Sequence, residues 1–287
     1  MIISCSRRTD IPAFYSDWFI NRIRAGYCYV PNPFNPKQIV KVSLEPQDVT
    51  AFVFWSRYPE PLIKHLSSLD SRGYKYYFQI SLNNYGMDYE KNNPNLNSVI
   101  KSIKKLENKI GKEKIIWRYD PLILDNQLNY DFHIKNFNFI IDKLKNSVGK
   151  IITSVITPYR KILKRVNNLD VQVNNSEKYK ELLNDLNRLA NENSLKLEIC
   201  SYFEDLTSLG IKPAKCIDIE LLNKLFGLKL IYHKDKNQRK YCMCSVSKDI
   251  GMYNSCIMNC SYCYATTNNE KVLSNYKRNG INSETLY

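Results

Sequence analysis

The 287-residue chain is predicted to be an α/β protein. Its expected form is a partial (β/α)6 barrel-like parallel sheet, with a cysteine-rich loop at the C-terminal end of the chain. Three observations predict this. Strand-like and helix-like stretches alternate about six times, and such alternation favours parallel strands joined by crossover helices. Hydrophobic residues make up 44% of the chain, enough for a sizeable core. Seven of the nine cysteines fall between Cys200 and Cys263, which sets the end of the chain apart from the rest. Residues 1–230 are therefore read as the α/β body, and residues 231–287 as a cysteine-rich segment packed on it. Six units suit an open, partial barrel or a doubly wound sheet.

Ile2–Cys5 reads as a buried strand that runs into Ser6-Arg7-Arg8-Thr9-Asp10-Ile11-Pro12. Pro12 stands near the start of a helix from about Ala13 to Arg24, ended by Gly26. Residues 27–48 look irregular around a strand-like Gln38–Ser43. A second strand spans Val49–Ser56, and a helix Glu60–Leu69 closes near Gly73. Tyr74–Leu82 is a third strand. Asn95–Ile110 has helical spacing at Val99, Ile100, Ile103 and Leu106, with Gly111 as its C-cap. Ile115–Pro121 is a fourth strand with a proline stop, and Tyr130–Leu144 a helix. Lys150–Ile156 is the fifth strand, Lys178–Asn193 a helix, Leu195–Tyr202 the sixth strand and Ile217–Phe226 a short helix. Residues 268–287 are polar and read as a loosely held tail.

Composition narrows the function. No apolar run approaches the ~18 residues of a membrane span. The N-terminus lacks an apolar export segment with a small-residue cleavage site, so a cytoplasmic protein without a membrane partner is expected. A reducing cytoplasm argues against a disulfide framework and turns the clustered cysteines toward metal. Cys5 and Cys28, outside the cluster, read as small core residues. Lys and Arg exceed Asp and Glu by 14, a surface that attracts polyanions. The lysines in Lys101–Lys105 and Lys161–Arg165 read as solvated helical faces. No glycine-rich phosphate loop is present, and His65, His133 and His233 form no recognisable catalytic spacing.

The chemistry-bearing stretch is Cys256-Ile-Met-Asn-Cys260-Ser-Tyr262-Cys263-Tyr264. Its spacing is C-x3-C-x2-C, with Tyr262 just before the third cysteine. Thiolates are soft ligands that suit iron–sulfur clusters or zinc. A [4Fe–4S] cube normally takes four cysteines, so three would leave one iron open to a small molecule. Cys200, Cys216, Cys242 and Cys244 are the right number for a closed four-thiolate site, either a second [4Fe–4S] cluster or a structural zinc.

The three-cysteine loop resembles the motif of the radical S-adenosylmethionine (SAM) superfamily. Ser6–Pro12, Gln238-Arg239 and Ser247-x-Asp249-Ile250-Gly251-x-Tyr253 through Ala265 look like an uncharacterised bacterial family of that type. A looser similarity, in barrel pattern, is to spore photoproduct lyases. The resemblance implies that SAM occupies the open iron of a cluster on Cys256, Cys260 and Cys263. SAM is then split reductively to a 5′-deoxyadenosyl radical, with electrons from a donor such as a flavodoxin or ferredoxin. In that superfamily the cysteine loop usually follows the first barrel strand, whereas here it follows the sixth unit. The glycine-rich turn that contacts the SAM amino group is not visible after the second strand.

Loops at the carboxyl ends of the strands form the active face of such sheets. They deliver Arg7, Arg8 and Asp10 from the first strand, Arg57 from the second, and Asn83 and Asn84 from the third. The fourth gives Arg118 and Asp120, taken as the catalytic pair. The fifth gives Tyr159 and Arg160, and the sixth gives Glu204 and Asp205. Arg7, Arg8, Asp10, Arg57, Asn83, Asn84, Glu204 and Tyr262 are the candidate cofactor contacts. Arginine forks match carboxylate and phosphate oxygens, so a small anionic or nucleotide-like substrate is expected. The competing reading is a zinc-containing protein that binds nucleic acid without catalysis.

Overall fold

The computed structural model describes residues 1–157, 159, 162, 165 and 176–287. In chain order its strands are β1 (Ile2–Cys5), β2 (Tyr27–Pro31), β3 (Ile39–Ser43), β4 (Ala51–Ser56), β5 (Tyr76–Ser81), β6 (Ile115–Leu122), β7 (Lys150–Val155), β8 (Leu197–Ile199), β9 (Lys212–Pro213) and β10 (Lys248–Asp249). The helices are α1 (Ile11–Phe14), α2 (Ser16–Ala25), α3 (Glu60–Ile63), α4 (Leu66–Asp70), α5 (Leu96–Ile110), α6 (Tyr130–Leu144), α7 (Ser176–Glu192), α8 (Ile219–Phe226) and α9 (Asn269–Arg278). Eight strands form one sheet in the order β10-β1-β4-β5-β6-β7-β8-β9. Every neighbouring pair in it is parallel. The sheet is open, as a partial barrel requires.

Strand alternation sends successive side chains to opposite faces. Phe52 and Phe54 on β4, and Trp117 and Tyr119 on β6, pack with helix residues such as Phe19, Leu66, Leu106, Phe137 and Leu186. Ala51, Val53 and Ile116 face the other way, against Ile217, Leu222 and the buried Cys200, Cys216, Cys242 and Cys244. Helices thus cover the outer face, while α8 and its flanking segments cover the inner one. The helices start where the sequence supplies caps: the side chains of Asn95, Asn129 and Asp218 accept from backbone N–H groups in the first turns of α5, α6 and α8.

Several elements differ from expectation. The first helix is two helices, α1 and α2, and the Glu60–Leu69 helix is α3 and α4. In residues 27–48 the strand-like Gln38–Ser43 is β3, and it pairs antiparallel with β2, which the sequence did not reveal. The fourth strand continues through Pro121 to Leu122, because Pro121 sits at a register shift where its missing N–H interrupts no regular ladder. The sixth strand shrinks to Leu197–Ile199, leaving Cys200 just past its end.

The tail is not loose. It contains α9, and its last residues are pinned to α2, where Trp18 Nε1 donates to Ser283 O at 2.9 Å. β9 and β10 have two residues each, too short to leave a hydrophobic pattern. Among the described residues no helix is long and apolar enough to cross a membrane.

Candidate active site

The carboxyl ends of the strands open into a cavity of about 620 Å³. Its wall brings together Arg7, Arg8 and Asp10 after β1, Arg57 after β4, and Arg118 and Asp120 from β6. All seven clustered cysteines line it as well, with Tyr159 and Tyr262. On β6 the inward column changes from apolar to polar toward this end, running Ile116, Arg118, Asp120.

The three-cysteine loop reaches the cavity through β10. That strand returns to the edge of the sheet beside β1, with Ile3 opposite Lys248 and Ser4 opposite Asp249. The loop therefore leaves the carboxyl end of the spatially first strand. Asn254 N donates to Ala265 O at 2.9 Å and closes the loop at its base. Asn254 itself adopts φ 56°, a left-handed conformation that asparagine tolerates. Thr9 Oγ1 bonds Met252 O at 2.9 Å, and Tyr15 Oη donates to Ser255 O at 2.6 Å. On the other flank Ser261 N donates to Tyr89 O at 2.8 Å, and Asn92 N to Met258 O at 3.1 Å. Gly251 is required here, because a Cβ would lie 2.0 Å from Ser6 Oγ.

Glu90 organises the wall beside the loop. It accepts from Arg57 Nη1 at 2.6 Å and from the Tyr262 hydroxyl, and Asn83 Nδ2 stands 3.3 Å away. Arg57 Nη2 also donates to Tyr262 Oη at 2.5 Å. Burial opposes the charge on Arg57, but the neighbouring Cys260 and Glu90 outweigh it and raise its pKa well above the ordinary value. Burial pushes the Cys256 thiol up and raises Cys260 to about 12, with Arg57 pulling Cys260 the other way. Burial also lifts the Asp10 carboxyl to about 6, although it accepts from Arg57 N, Ser56 Oγ and Ala13 N.

The other four thiols meet across the cavity. Cys200 Sγ and Cys216 Sγ are 3.7 Å apart. Cys216 is further linked to Cys244, and Cys244 to Cys242. Arg118 Nη1 donates to Cys216 Sγ at 2.9 Å, and Arg239 Nη2 lies 3.5 Å from Cys200 Sγ. The thiol hydrogen bonds from Cys200 and Cys244, then the guanidinium groups of Arg118 and Arg7, hold Cys216 well below the usual thiol range against the effect of burial. Among the described residues no three metal-ligating side chains already converge on one point. None of the nine cysteines is in a disulfide.

The candidates sort themselves by this geometry. Arg118 and Asp120 are paired at 2.7 Å, and Asp120 also accepts from Ser154 Oγ. Arg8 is occupied by Asp249 at 3.0 Å. Arg7 lies over Trp55, and its buried Nη2 has no hydrogen-bond partner among the described residues. Asn83 stands behind the cavity wall and bridges Tyr262 Oη and Asp120 O, both at 2.9 Å.

Asn84, Glu204 and Asp205 fall outside the cavity lining. Asn84 turns to Asn136 Oδ1 at 2.8 Å, its left-handed backbone pointing it away. Glu204 does not line the cavity, because β8 ends early and the chain after it runs along the rim. Arg160 lies outside the described residues.

Glu90, Asp249 and Trp55 were missed, and the first two sit in short polar stretches with no periodic signal. Arg165 was read as part of a solvated face, yet its Nη2 donates to Cys263 O at 2.8 Å and Thr266 O at 2.7 Å. Cys5 and Cys28 are core residues. His65 pairs with Asp17 at 2.8 Å. His133 is buried between Tyr119 Oη at 2.9 Å and Ile123 O at 2.8 Å.

Cys256, Cys260 and Cys263 are soft thiols on the cavity lining of the kind that could hold an iron–sulfur cluster, with Arg57 beside Cys260 and the unpartnered Nη2 of Arg7 on the same lining. No curated protein matches the chain. A family model does, over residues 2–265. The two interlocked ends of the site, Ser6–Pro12 and Ser247–Ala265, both fall within that match, and the chain belongs to the family described as "Domain of unknown function (DUF1848)".

Proposed function

We propose that the protein is a radical SAM enzyme acting on an anionic substrate. Cys256, Cys260 and Cys263 would hold the cluster. When bound, a [4Fe–4S] cluster with one open iron supplies reductive cleavage of SAM to methionine and a 5′-deoxyadenosyl radical. The observation that carries this reading is the position of the loop. It follows β10, the strand at the sheet edge beside β1, so it occupies the place after the spatially first strand although it comes last in sequence. On this reading, the order of parts that differs from the superfamily's would be a rearrangement along the chain, not in space.

The chain's own residues divide the remaining work. Tyr262, Arg57 and Glu90 lock the loop's second half against β4 and the segment after β5. Arg57 places positive charge next to Cys260, which favours the thiolate a metal needs. Arg7 is the best-placed anion anchor, because its Nη2 is buried and unclaimed among the described residues. Arg118 and Asp120 are engaged with each other and with Cys216 and Ser154, so they shape and charge the wall. An electron donor such as a flavodoxin or ferredoxin is required by this chemistry.

The test is anaerobic reconstitution with iron and sulfide, reduction with dithionite, and addition of SAM. The proposal expects 5′-deoxyadenosine and methionine, and their loss in Cys260→Ala. A colourless protein that binds zinc alone and leaves SAM intact overturns it.

A further inference from the structure

We propose that Cys200, Cys216, Cys242 and Cys244 form a separate metal site that takes one tetrahedral zinc ion, not a second cluster. This stands apart from the reading of the three-cysteine loop. Among the described residues, the one sulfur–sulfur spacing within contact range favours the single ion. Around a single zinc with Zn–S bonds of about 2.3 Å, tetrahedral geometry puts neighbouring sulfurs about 3.8 Å apart. In a [4Fe–4S] cube each thiolate binds a different iron, so the sulfurs stand roughly 6 Å apart. Cys200 Sγ and Cys216 Sγ are 3.7 Å apart, the single-ion spacing. Cys242 and Cys244 lie in the same buried cluster as that pair and line the same cavity. Among the described residues no three of these sulfurs already surround one point. All four line the same cavity and belong to one buried cluster, so closing them around an ion requires their side chains to move.

The surroundings suit a bound anionic centre. Four thiolates and one Zn²⁺ carry a net charge of −2. Arg118 donates to Cys216 Sγ at 2.9 Å, and Arg239 lies 3.5 Å from Cys200 Sγ. Such N–H···S contacts orient metal-bound sulfurs and offset their charge. The site also has a structural reason. Cys200 follows β8, Cys216 follows β9, and Cys242 and Cys244 lie on the return from α8 to β10. An ion held by all four ties the far edge of the sheet to the segment that crosses back to the near edge. That return carries few other buried apolar side chains: Ile231, Tyr241 and Val246 are exposed. The thiols release their protons to solvent as the ion binds, so binding contributes to folding.

The experiment uses the full chain with Cys256, Cys260 and Cys263 all replaced by alanine, which empties the loop. Elemental analysis is expected to give about one zinc per chain and negligible iron. Cobalt(II) in place of zinc should give the intense visible bands of a tetrahedral thiolate site. Adding Cys216→Ser should cut the zinc content at least tenfold. If the triple variant fails to fold, zinc-edge X-ray absorption on the wild-type protein replaces it, with a first shell of four sulfurs expected.

A brown triple variant with about four irons per chain overturns the inference. So does a folded, metal-free triple variant, or a Cys200–Cys216 disulfide found by mass spectrometry. Loss of SAM cleavage in the wild type would count against the proposed activity and leave the zinc count unaffected.

Discussion

Arg8 grips one carboxylate oxygen of Asp249 with two nitrogens, Nη2 at 3.0 Å and Nε at 3.2 Å, across 241 residues of sequence. The second oxygen accepts from Ser4 Oγ at 2.7 Å and Arg7 N at 2.9 Å. Burial alone would raise the Asp249 pKa, but Arg8 and these donors hold the carboxyl below its usual range. This junction joins the loop after β1 to β10 and so fixes where the cysteine loop starts.

Asp249→Ala should therefore be costly. It leaves a largely buried guanidinium and several donors without their acceptor, a loss of about 3–5 kcal/mol. Urea denaturation should report that drop, and the reconstituted variant should retain less iron than wild type. A stability change near zero would mean that β10 is held by other contacts.

A second brace is Glu90, which joins Arg57, Tyr262 and Asn83. Glu90→Ala should destabilise the protein by about 3 kcal/mol, since Arg57 would be left buried and unpaired. Glu90→Gln should lose less, because it keeps an acceptor for Arg57. Chemical denaturation of both variants checks the order. Equal losses would contradict the prediction, since the acceptor kept by glutamine would then contribute nothing to holding Arg57.

The site was partly legible. Its ligands were, because Cys256, Cys260 and Cys263 carry a spacing that no core packing requires. Arg118 and Asp120 were placed on one face by strand alternation alone. Glu90 was not found, because it lies in an irregular stretch between β5 and α5 and gains its meaning from Arg57 and Tyr262. β10 was invisible for a related reason: two residues have no period, and what holds them is Ser4, Ser6 and Arg8 at the other end of the chain. Glu204 was drawn in by assuming a longer sixth strand than the sheet contains, and Asn84 because nothing in the sequence signals the left-handed backbone that turns it to Asn136.

His133 gives a pH dependence with a definite sign. Burial lowers its pKa from 6.5 to about 4. Below 6.5 the unfolded chain takes up a proton that the folded chain refuses, so this stabilisation is full above 6.5. It is lost as pH falls toward 4, by on the order of 3 kcal/mol. Asp10, lifted to about 6 by burial, acts in the opposite sense between its usual value and 6. The comparison with His133→Gln isolates the histidine. The wild-type advantage should shrink between pH 7.5 and pH 4 in paired urea titrations. A constant difference would show that the ring takes up its proton as readily in the folded as in the unfolded chain.

The most direct test of the central claim is electron–nuclear double resonance on the reduced, reconstituted protein with SAM labelled at its amino nitrogen. The account predicts a cluster signal that shifts on adding SAM and acquires hyperfine coupling to the labelled nitrogen, with both effects absent in Cys260→Ala. A signal indifferent to SAM would contradict it, since every iron would then already be fully coordinated.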